Sequence, residues 1–541
     1  MNGATGTTST CVLIAGGGPV GLTLAIDLAH RGVPCILVDA KPAPLHLPKM
    51  ERCNARTMEI FRRLGLADRI RSASFPVDAR MDIAVTTRLC DEPLVRLEYP
   101  TVAQARESSR ECTDGTQPLE PYQVVSQYTL EPLLKQAAED LDDADIRFGH
   151  QLVSFEQDAS EVRALIRDLD GAEATIRADY LVGCDGGRST VRKALGIGLE
   201  GDGAIAKRNQ VFFRSEHFFD LCPWPQCRMY FFANDDQSIV TVQDDLKHIS
   251  FHTNCFGSRA DITAVMRATF GLPIDIETID AVEWTLHLLV AEKFASGRVF
   301  LAGDSCKLVI PSGGLGLNTG IGDAVNLGWK LAAMAAGWGG PALLASYEAE
   351  RLPVNRRNRA SSGYANAGQR AWREIVDATI NDDTAEGRGV RRAVAYTASV
   401  TQRRTHEMVG TELGYRYEDS PVIVAESGPW PPDVPEVYIP TARPGARLPH
   451  VWLSDGTALH DRLGRGYTLL RLVPDAAPGA GLVKAMARTG VPVELLDLDE
   501  PAIRDLFAAD VVLVRPDLHV AWRGDRLPAD PAAVAAAVTG H

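Results

Sequence analysis

The stretch Gly16-Gly17-Gly18-Pro19-Val20-Gly21 constrains this chain most, because of what stands on either side of it. Residues 11–15 form an apolar run that reads as a strand. Residues 21–31 read as a helix, with Leu22, Ala25, Ile26 and Ala29 on one face and Gly32 as its stop. Residues 35–38 read as a second strand that ends at Asp39. This is a βαβ unit, and it commits the chain to an α/β fold with a Rossmann-like sheet. Gly16 permits the tight turn, Gly18 lets a pyrophosphate approach the backbone, and Gly21 lets the helix pack closely on the sheet. The first helical turn, with Pro19 and Val20, offers free amides and a partial positive charge to a diphosphate. Asp39 stands where a carboxylate accepts hydrogen bonds from an adenosine ribose.

Two later segments specify the dinucleotide. Gly303-Asp304 follows a strand-like run at 298–302, and the glycine-rich turn of residues 311–330 (PSGGLGLNTGIGDAVNLGWK) then opens a helix. A carboxylate in that place holds a ribityl hydroxyl, and bare backbone after it can press against a flavin ring. Between the two, residues 179–184 read as a strand running into Asp185-Gly186-Gly187-Arg188-Ser189, a turn into another helix. Asp185 and its neighbouring amides suit ribose and diphosphate, with Arg188 and Arg192 near phosphate; the competing reading is a surface turn capped by Ser189. A second match to the first fingerprint, residues 196–201 (GIGLEG), follows a helix and opens none. It reads as a loop, so no separate nicotinamide domain is expected.

The 541 residues are enough for two to four domains. A nucleotide domain is expected over residues 1–76, 120–206 and 288–405. Residues 77–119 and 207–287 carry alternating and aromatic stretches, the pattern of an inserted antiparallel sheet for substrate. Phe212, Tyr230 and Phe232 are candidates for one wall of a dry pocket, against the alternative that they are core. A proline-rich linker over 406–449 precedes a compact α/β domain at 450–541. The net charge of −14 gives no basic field for nucleic acid or anionic membranes. The ten cysteines have neither metal-ligand nor disulfide-framework spacing, so reduced thiols in the cytoplasm and no metal are expected. Residues 1–10 lack a basic leader region, and no apolar run approaches a bilayer span.

In order and spacing the three segments resemble the signature motifs of the class A flavoprotein aromatic hydroxylases, single-component FAD monooxygenases such as phenol hydroxylase. Residues 54–59 (NARTME) and 127–134 (QYTLEPLL) are also similar to family segments, and the likeness covers about residues 10–360. Residues 450–541 resemble the thioredoxin-like extension of the phenol and polyketide hydroxylase branch. The last cysteine is Cys306, so a dithiol reaction there is impossible and the extension is scaffold or homodimer surface. The resemblance implies non-covalent FAD, reduced by NADH or NADPH, whose C4a-hydroperoxide with dioxygen hydroxylates a phenolic or polycyclic aromatic substrate. It implies that Gln127 and Arg56 contact FAD, Asp304 holds the ribityl chain, and Pro311 lies beside ring and substrate. Gly314, Gly316, Leu317 and Asn318 would aim amides at the pyrimidine edge. Lys49 stands where the family commonly has a diphosphate arginine, and Lys307 where many members have histidine. Glu51, placed like an acid near the substrate of phenol hydroxylases, is the candidate base for a phenol, with Arg52 as its partner. The rival readings are Baeyer–Villiger or multistep oxidative rearrangement on the same fold, and a non-catalytic flavoprotein-fold binding module.

Overall fold

The computed structural model describes residues 7–473 and 480–541. The few expected domain residues outside these ranges therefore lie outside the described residues. Of the five parallel strands in its central sheet, four position the site: β1 (Thr7–Ala15), β2 (Cys35–Asp39), β3 (Glu173–Gly183) and β4 (Val299–Leu301), in the order β4-β3-β1-β2, with Ala144–Phe148 beyond β2. The register makes their C-terminal ends flush, with Ala15 opposite both Val38 and Gly183, and Gly183 opposite Leu301. Val12, Leu13, Ile14, Leu37, Leu181 and Leu301 are buried, as strands covered on both faces require. Five helices matter here: α1 (Pro19–Ala29), α2 (Ala55–Arg63), α3 (Gln127–Glu139), α4 (Leu315–Ala335) and α5 (Pro341–Arg373). Asn54 caps α2 by accepting from the Thr57 N–H, and α3 begins at Gln127.

The second sheet has eight strands and is antiparallel except for one pair, Met229–Phe232 beside Ile83–Thr86. Its long arms, Leu199–Arg214 and Glu277–Ala291, pair with each other and run back toward the first sheet. Residues 196–201 enter the first of these arms, so the second glycine match is a turn into a strand rather than a loop. The helix Arg259–Phe270 covers one face of this sheet. Val211, Phe213, Tyr230, Phe232, Val240 and Phe251 pack there with Ile262, Met266 and Phe270. This corrects the expectation for Tyr230 and Phe232, which are 2% and 0% exposed on the helix-covered face. Side chains of a strand alternate between faces, and the sequence pattern alone does not say which face meets the cofactor domain.

The C-terminal sheet has the strand order Val493–Asp497, Tyr467–Arg471, Val511–Val514, Val520–Gly524, with helices packed on it, and is thioredoxin-like. The proline-rich stretch expected as a linker is packed onto it. Val422 is fully buried, the Val424 N–H bonds the Ala521 carbonyl at 2.9 Å, and Arg443 donates to the Glu426 and Pro429 carbonyls at 3.0 and 2.9 Å. No helix among the described residues is long and apolar enough to cross a membrane.

Candidate cofactor and substrate site

The flush strand ends set four turns side by side. After β1, Gly16 turns with φ +116°, and a Cβ there would stand 2.3 Å from the Cys184 carbonyl oxygen. A Cβ on Gly21 would stand 2.1 Å from the Gly16 carbonyl oxygen, so α1 sits directly against the turn. After β2, Asp39 accepts from the backbone N–H of Gly17 at 2.7 Å and of Lys41 at 2.8 Å. After β3, Asp185 Oδ2 accepts from the N–H groups of Thr190 and Val191 at 2.7 and 3.1 Å, capping the helix Thr190–Ala194 together with Ser189. Asp185 Oδ1 is buried without a partner in the protein. After β4, Gly303 turns with φ +69° and leaves the Asp304 side chain 59% exposed. Arg188 is exposed, whereas Arg192 donates to the Gly187 and Ser305 carbonyls and so ties the last two turns together instead of standing free for phosphate.

This row fits FAD. A Cβ on Gly18 or Gly186 would meet nothing within 4 Å, and one on Gly316 would meet only Val309 at 3.5 Å. The glycines therefore line open space, not packed core. Both α1 and α4 begin at a glycine N-cap, Gly18 and Gly314, with no side chain bonding their first amides. Those amides need an acceptor, and the positive ends of two helices favour an anionic one.

Asn318 fixes where α4 begins. Its Nδ2 donates to the carbonyls of Arg52 at 3.0 Å and Gly314 at 2.5 Å, and its Oδ1 accepts from the Asn54 N–H at 2.9 Å. The Asn318 side chain thus belongs to the scaffold, while the backbone of Leu315, Gly316 and Leu317 stays free. Pro311 is exposed beside it. Gln127 opens α3; its N–H bonds the Met50 carbonyl at 3.1 Å and its amide bonds Glu131, which holds the Leu45 N–H at 3.0 Å. Lys49 remains exposed on that same segment. Arg56 departs from expectation. Its Nε, Nη1 and Nη2 go to Tyr415 Oη at 3.2 Å, Glu59 at 3.4 Å and the Asp517 carbonyl at 2.7 Å. It clamps α2 to the C-terminal region through two acceptors there, Tyr415 and Asp517, with Glu59 of its own helix as the third.

Glu51 and Arg52 lie between α4 and the second sheet, but they do not pair with each other. Arg52 Nη2 meets Glu412 Oε1 at 2.9 Å, its Nη1 donates to the His406 carbonyl at 3.2 Å, and its guanidinium lies 4.5 Å over the Tyr122 ring. Glu51 accepts from Gln243 Nε2 at 3.0 Å and Arg228 Nη2 at 3.3 Å, so both its oxygens are engaged. Arg228, 5% exposed at its side chain, retains Nε and Nη1 without partners, and Arg52 retains Nε. Burial, then the charges of Arg52 and Arg228, push the His406 imidazole down to about 3, so it is neutral beside them. The sequence pattern missed Arg228, Gln243, His406 and Tyr122. Phe212, 4% exposed, stacks on His248 at 5.4 Å and meets Tyr128 of α3 at 5.7 Å, on the face opposite Tyr230.

Known proteins agree with this geometry. The FAD binding domain family model matches residues 9–362, and the C-terminal domain model of aromatic-ring hydroxylases matches residues 441–540. A putative polyketide hydroxylase of Streptomyces halstedii is 33% identical, with 96% of this chain and 94% of that protein covered. Tetracenomycin B2 monooxygenase-dioxygenase of Streptomyces olivaceus is 32% identical, covering 97% and 96%. Among solved structures, RebC with bound 7-carboxy-K252c is 36% identical with a TM-score of 0.89, over 99% of this chain and all of that one. Aklavinone-11 hydroxylase with FAD and aklavinone is 28% identical with a TM-score of 0.82, over the whole of both chains. The chain belongs to the FAD-dependent aromatic-ring hydroxylases and is a flavoprotein monooxygenase.

Proposed function

We propose that the enzyme hydroxylates a polycyclic aromatic compound bearing oxygen substituents, using NADH or NADPH and dioxygen. The observation that carries this reading is the set of three buried, unpartnered guanidinium N–H groups, on Arg228 and Arg52, beside the start of α4. Such donors cost about 1–3 kcal/mol each when left unmade, and phenol, quinone or carboxylate oxygens would satisfy them. Arg208 and Arg373 present a second set of unpartnered N–H groups, and burial, then the Arg208 charge, pushes the Arg373 guanidinium down to about 9. Arg373 also donates to the Phe232 carbonyl at 3.3 Å. Two separate sets of donors favour an extended, multi-ring substrate with oxygens at both ends. This agrees with neighbours solved with 7-carboxy-K252c and aklavinone.

FAD, when bound, supplies electron acceptance from the nicotinamide and activation of dioxygen. The chain's own residues do the rest. The uncapped turn at Leu315–Leu317 would stabilise negative charge on a flavin ring bound against it. Arg52 and Arg228 orient the substrate oxygens. Glu51, itself held by Gln243, keeps Arg228 in place, and neutral His406 adds no competing cation. The experiment is a panel of hydroxylated polycyclic and monocyclic phenols, followed by nicotinamide oxidation and by product structure. Coupled oxidation with one added hydroxyl on a polycycle, weakened strongly by Arg228→Met, is expected. Turnover of simple phenols alone, or full activity in that variant, would overturn the substrate assignment. A ring-expanded or rearranged product would favour oxidative rearrangement on the same site.

A further inference from the structure

Lys307, like Asp185 Oδ1, is a buried polar group of the cofactor row that the scaffold leaves without a partner. It follows the Gly303–Ser305 turn in a short strand, with its side chain 0% exposed and its Nζ without a hydrogen-bond partner in the protein. The nearest carboxylate oxygen, Asp304 Oδ1, stands 4.0 Å away, just beyond hydrogen-bond reach. A Cβ on Gly320 would come within 3.6 Å of Nζ, 3.0 Å of Gly303 Cα and 2.7 Å of Val20 Cγ2. The ammonium therefore lies in the corner where the starts of α1 and α4 meet the turn that carries Asp304. Other charges nearby are already matched. Asp323 of α4 is held by Arg351 at 2.8 Å, Asn355 at 2.9 Å and the Gly303 N–H at 3.2 Å, and Arg192 is bonded to carbonyls. A buried ammonium without a partner is costly, and it persists where a ligand completes the site.

We propose that Lys307 is a positioning residue for the cofactor, supplying the fixed positive charge that keeps the Asp304 carboxylate aimed into the groove once FAD covers it. The inference rests on the reading that Asp304 holds the ribityl chain. Without ligand, Asp304 is hydrated and needs no counter-charge. With the chain bound, water leaves that carboxylate, and Lys307 is the cation left to stabilise it. The groups shown near Nζ are Asp304 at 4.0 Å and Cys306, whose thiol feels the Lys307 charge; Asp323 of α4, paired with Arg351 of α5, meets the Gly303 N–H and the Cys306 thiol of the same turn.

The test titrates FAD into apoprotein of the wild type, Lys307→Met, Lys307→His, Asp304→Asn and the Lys307→Met/Asp304→Asn pair, with apoprotein melting and the flavin midpoint potential measured alongside. Lys307→Met should weaken FAD binding about tenfold to a hundredfold. Its apoprotein melting point should not fall, because an unpaired buried charge is removed, and its midpoint potential should become more negative. In Lys307→His, affinity should rise toward the wild type as pH falls, because only the protonated imidazole replaces the ammonium, whereas Lys307→Met should show no such rise. On the Asp304→Asn background, Lys307→Met should add little. Wild-type affinity in Lys307→Met, or fully additive losses in the pair, would overturn the proposal while leaving Asp304 in the site. Unchanged affinity in Asp304→Asn would remove both Asp304 and the role of Lys307.

Discussion

At the residue scale, the environment of Glu51 favours a positioning role over that of a base. A general base needs a lone pair directed at the substrate proton, yet both Glu51 oxygens accept hydrogen bonds, from Gln243 and from the guanidinium of Arg228. Those bonds favour an acid that holds Arg228 steady over one that collects protons. Glu51→Gln keeps an oxygen for Arg228 but loses the charge pairing. The expected outcome in steady-state kinetics is a raised KM for the aromatic substrate with kcat changed by less than about tenfold. A fall in kcat of about 10²–10⁴ at unchanged KM would restore Glu51 as the base. Asp304 gives the complementary case on the cofactor side. Asp304→Ala removes a charge-assisted partner worth roughly 1.5–3 kcal/mol, so FAD should be lost on dilution or gel filtration while the apoprotein keeps its melting point. Undiminished retention would take Asp304 out of the site.

At the element scale, the first glycine turn separates binding from packing. A Cβ at Gly18 enters open space, whereas one at Gly21 strikes the Gly16 carbonyl oxygen at 2.1 Å. Gly18→Ala should therefore leave apoprotein melting unchanged and weaken FAD, because only the approaching diphosphate meets the methyl group. Gly21→Ala should cost stability first, by pushing α1 off the sheet, with FAD loss following from it. Equal melting points for the two variants would contradict this division. The turns were legible in the sequence because their cause is local: a strand, a glycine at positive φ and a helix start lie within a few residues of each other. The substrate side was not, because its contacts are distant in the chain. Glu51 meets Arg228 across 177 residues, and Arg52 meets His406 across 354. Alternation announced the strands near Tyr230 and Phe232, but only the placement of the helix Arg259–Phe270 fixed which face those rings occupy. Arg56 was misread for a related reason. Its motif is local, but its partners come from the far end of the chain.

At the scale of the whole molecule, buried ions bind the C-terminal region to α5 and α2. Lys330 of α4 and Arg515 both reach Glu350 of α5 at 2.6 Å, Arg515 also holds Asp517 at 2.7 Å, and Arg447 pairs with Glu59 of α2. Trp329 and Ala333 of α4 share one apolar cluster with Tyr467, Leu469 and Leu513. Ending the chain at residue 440 would strip that cluster and leave Glu350 and Glu59 short of their cations, so aggregation on expression is expected; a soluble, FAD-loaded fragment would refute it. Acid offers a finer test of the same contact. Burial alone would raise the Glu59 carboxyl, but Arg447, followed by His460 and Arg56, outweighs burial and brings it down to about 2. An unfolded glutamate titrates near 4.3. The folded value is the lower one, so the stabilisation is complete above about pH 4.5 and is lost as pH falls toward 2. The shift corresponds to on the order of 3 kcal/mol. Glu350 and Asp517 are lowered in the same direction, so the wild type alone would not isolate Glu59. The measurement is therefore the difference in urea unfolding free energy between wild type and Glu59→Gln from pH 7 to pH 2.5. That difference should be flat down to about pH 4.5 and shrink below it, because protonation converts the wild-type side chain into a neutral one resembling its replacement. A constant difference across the range would mean that Glu59 joins the domains by shape and hydrogen bonding, not by charge.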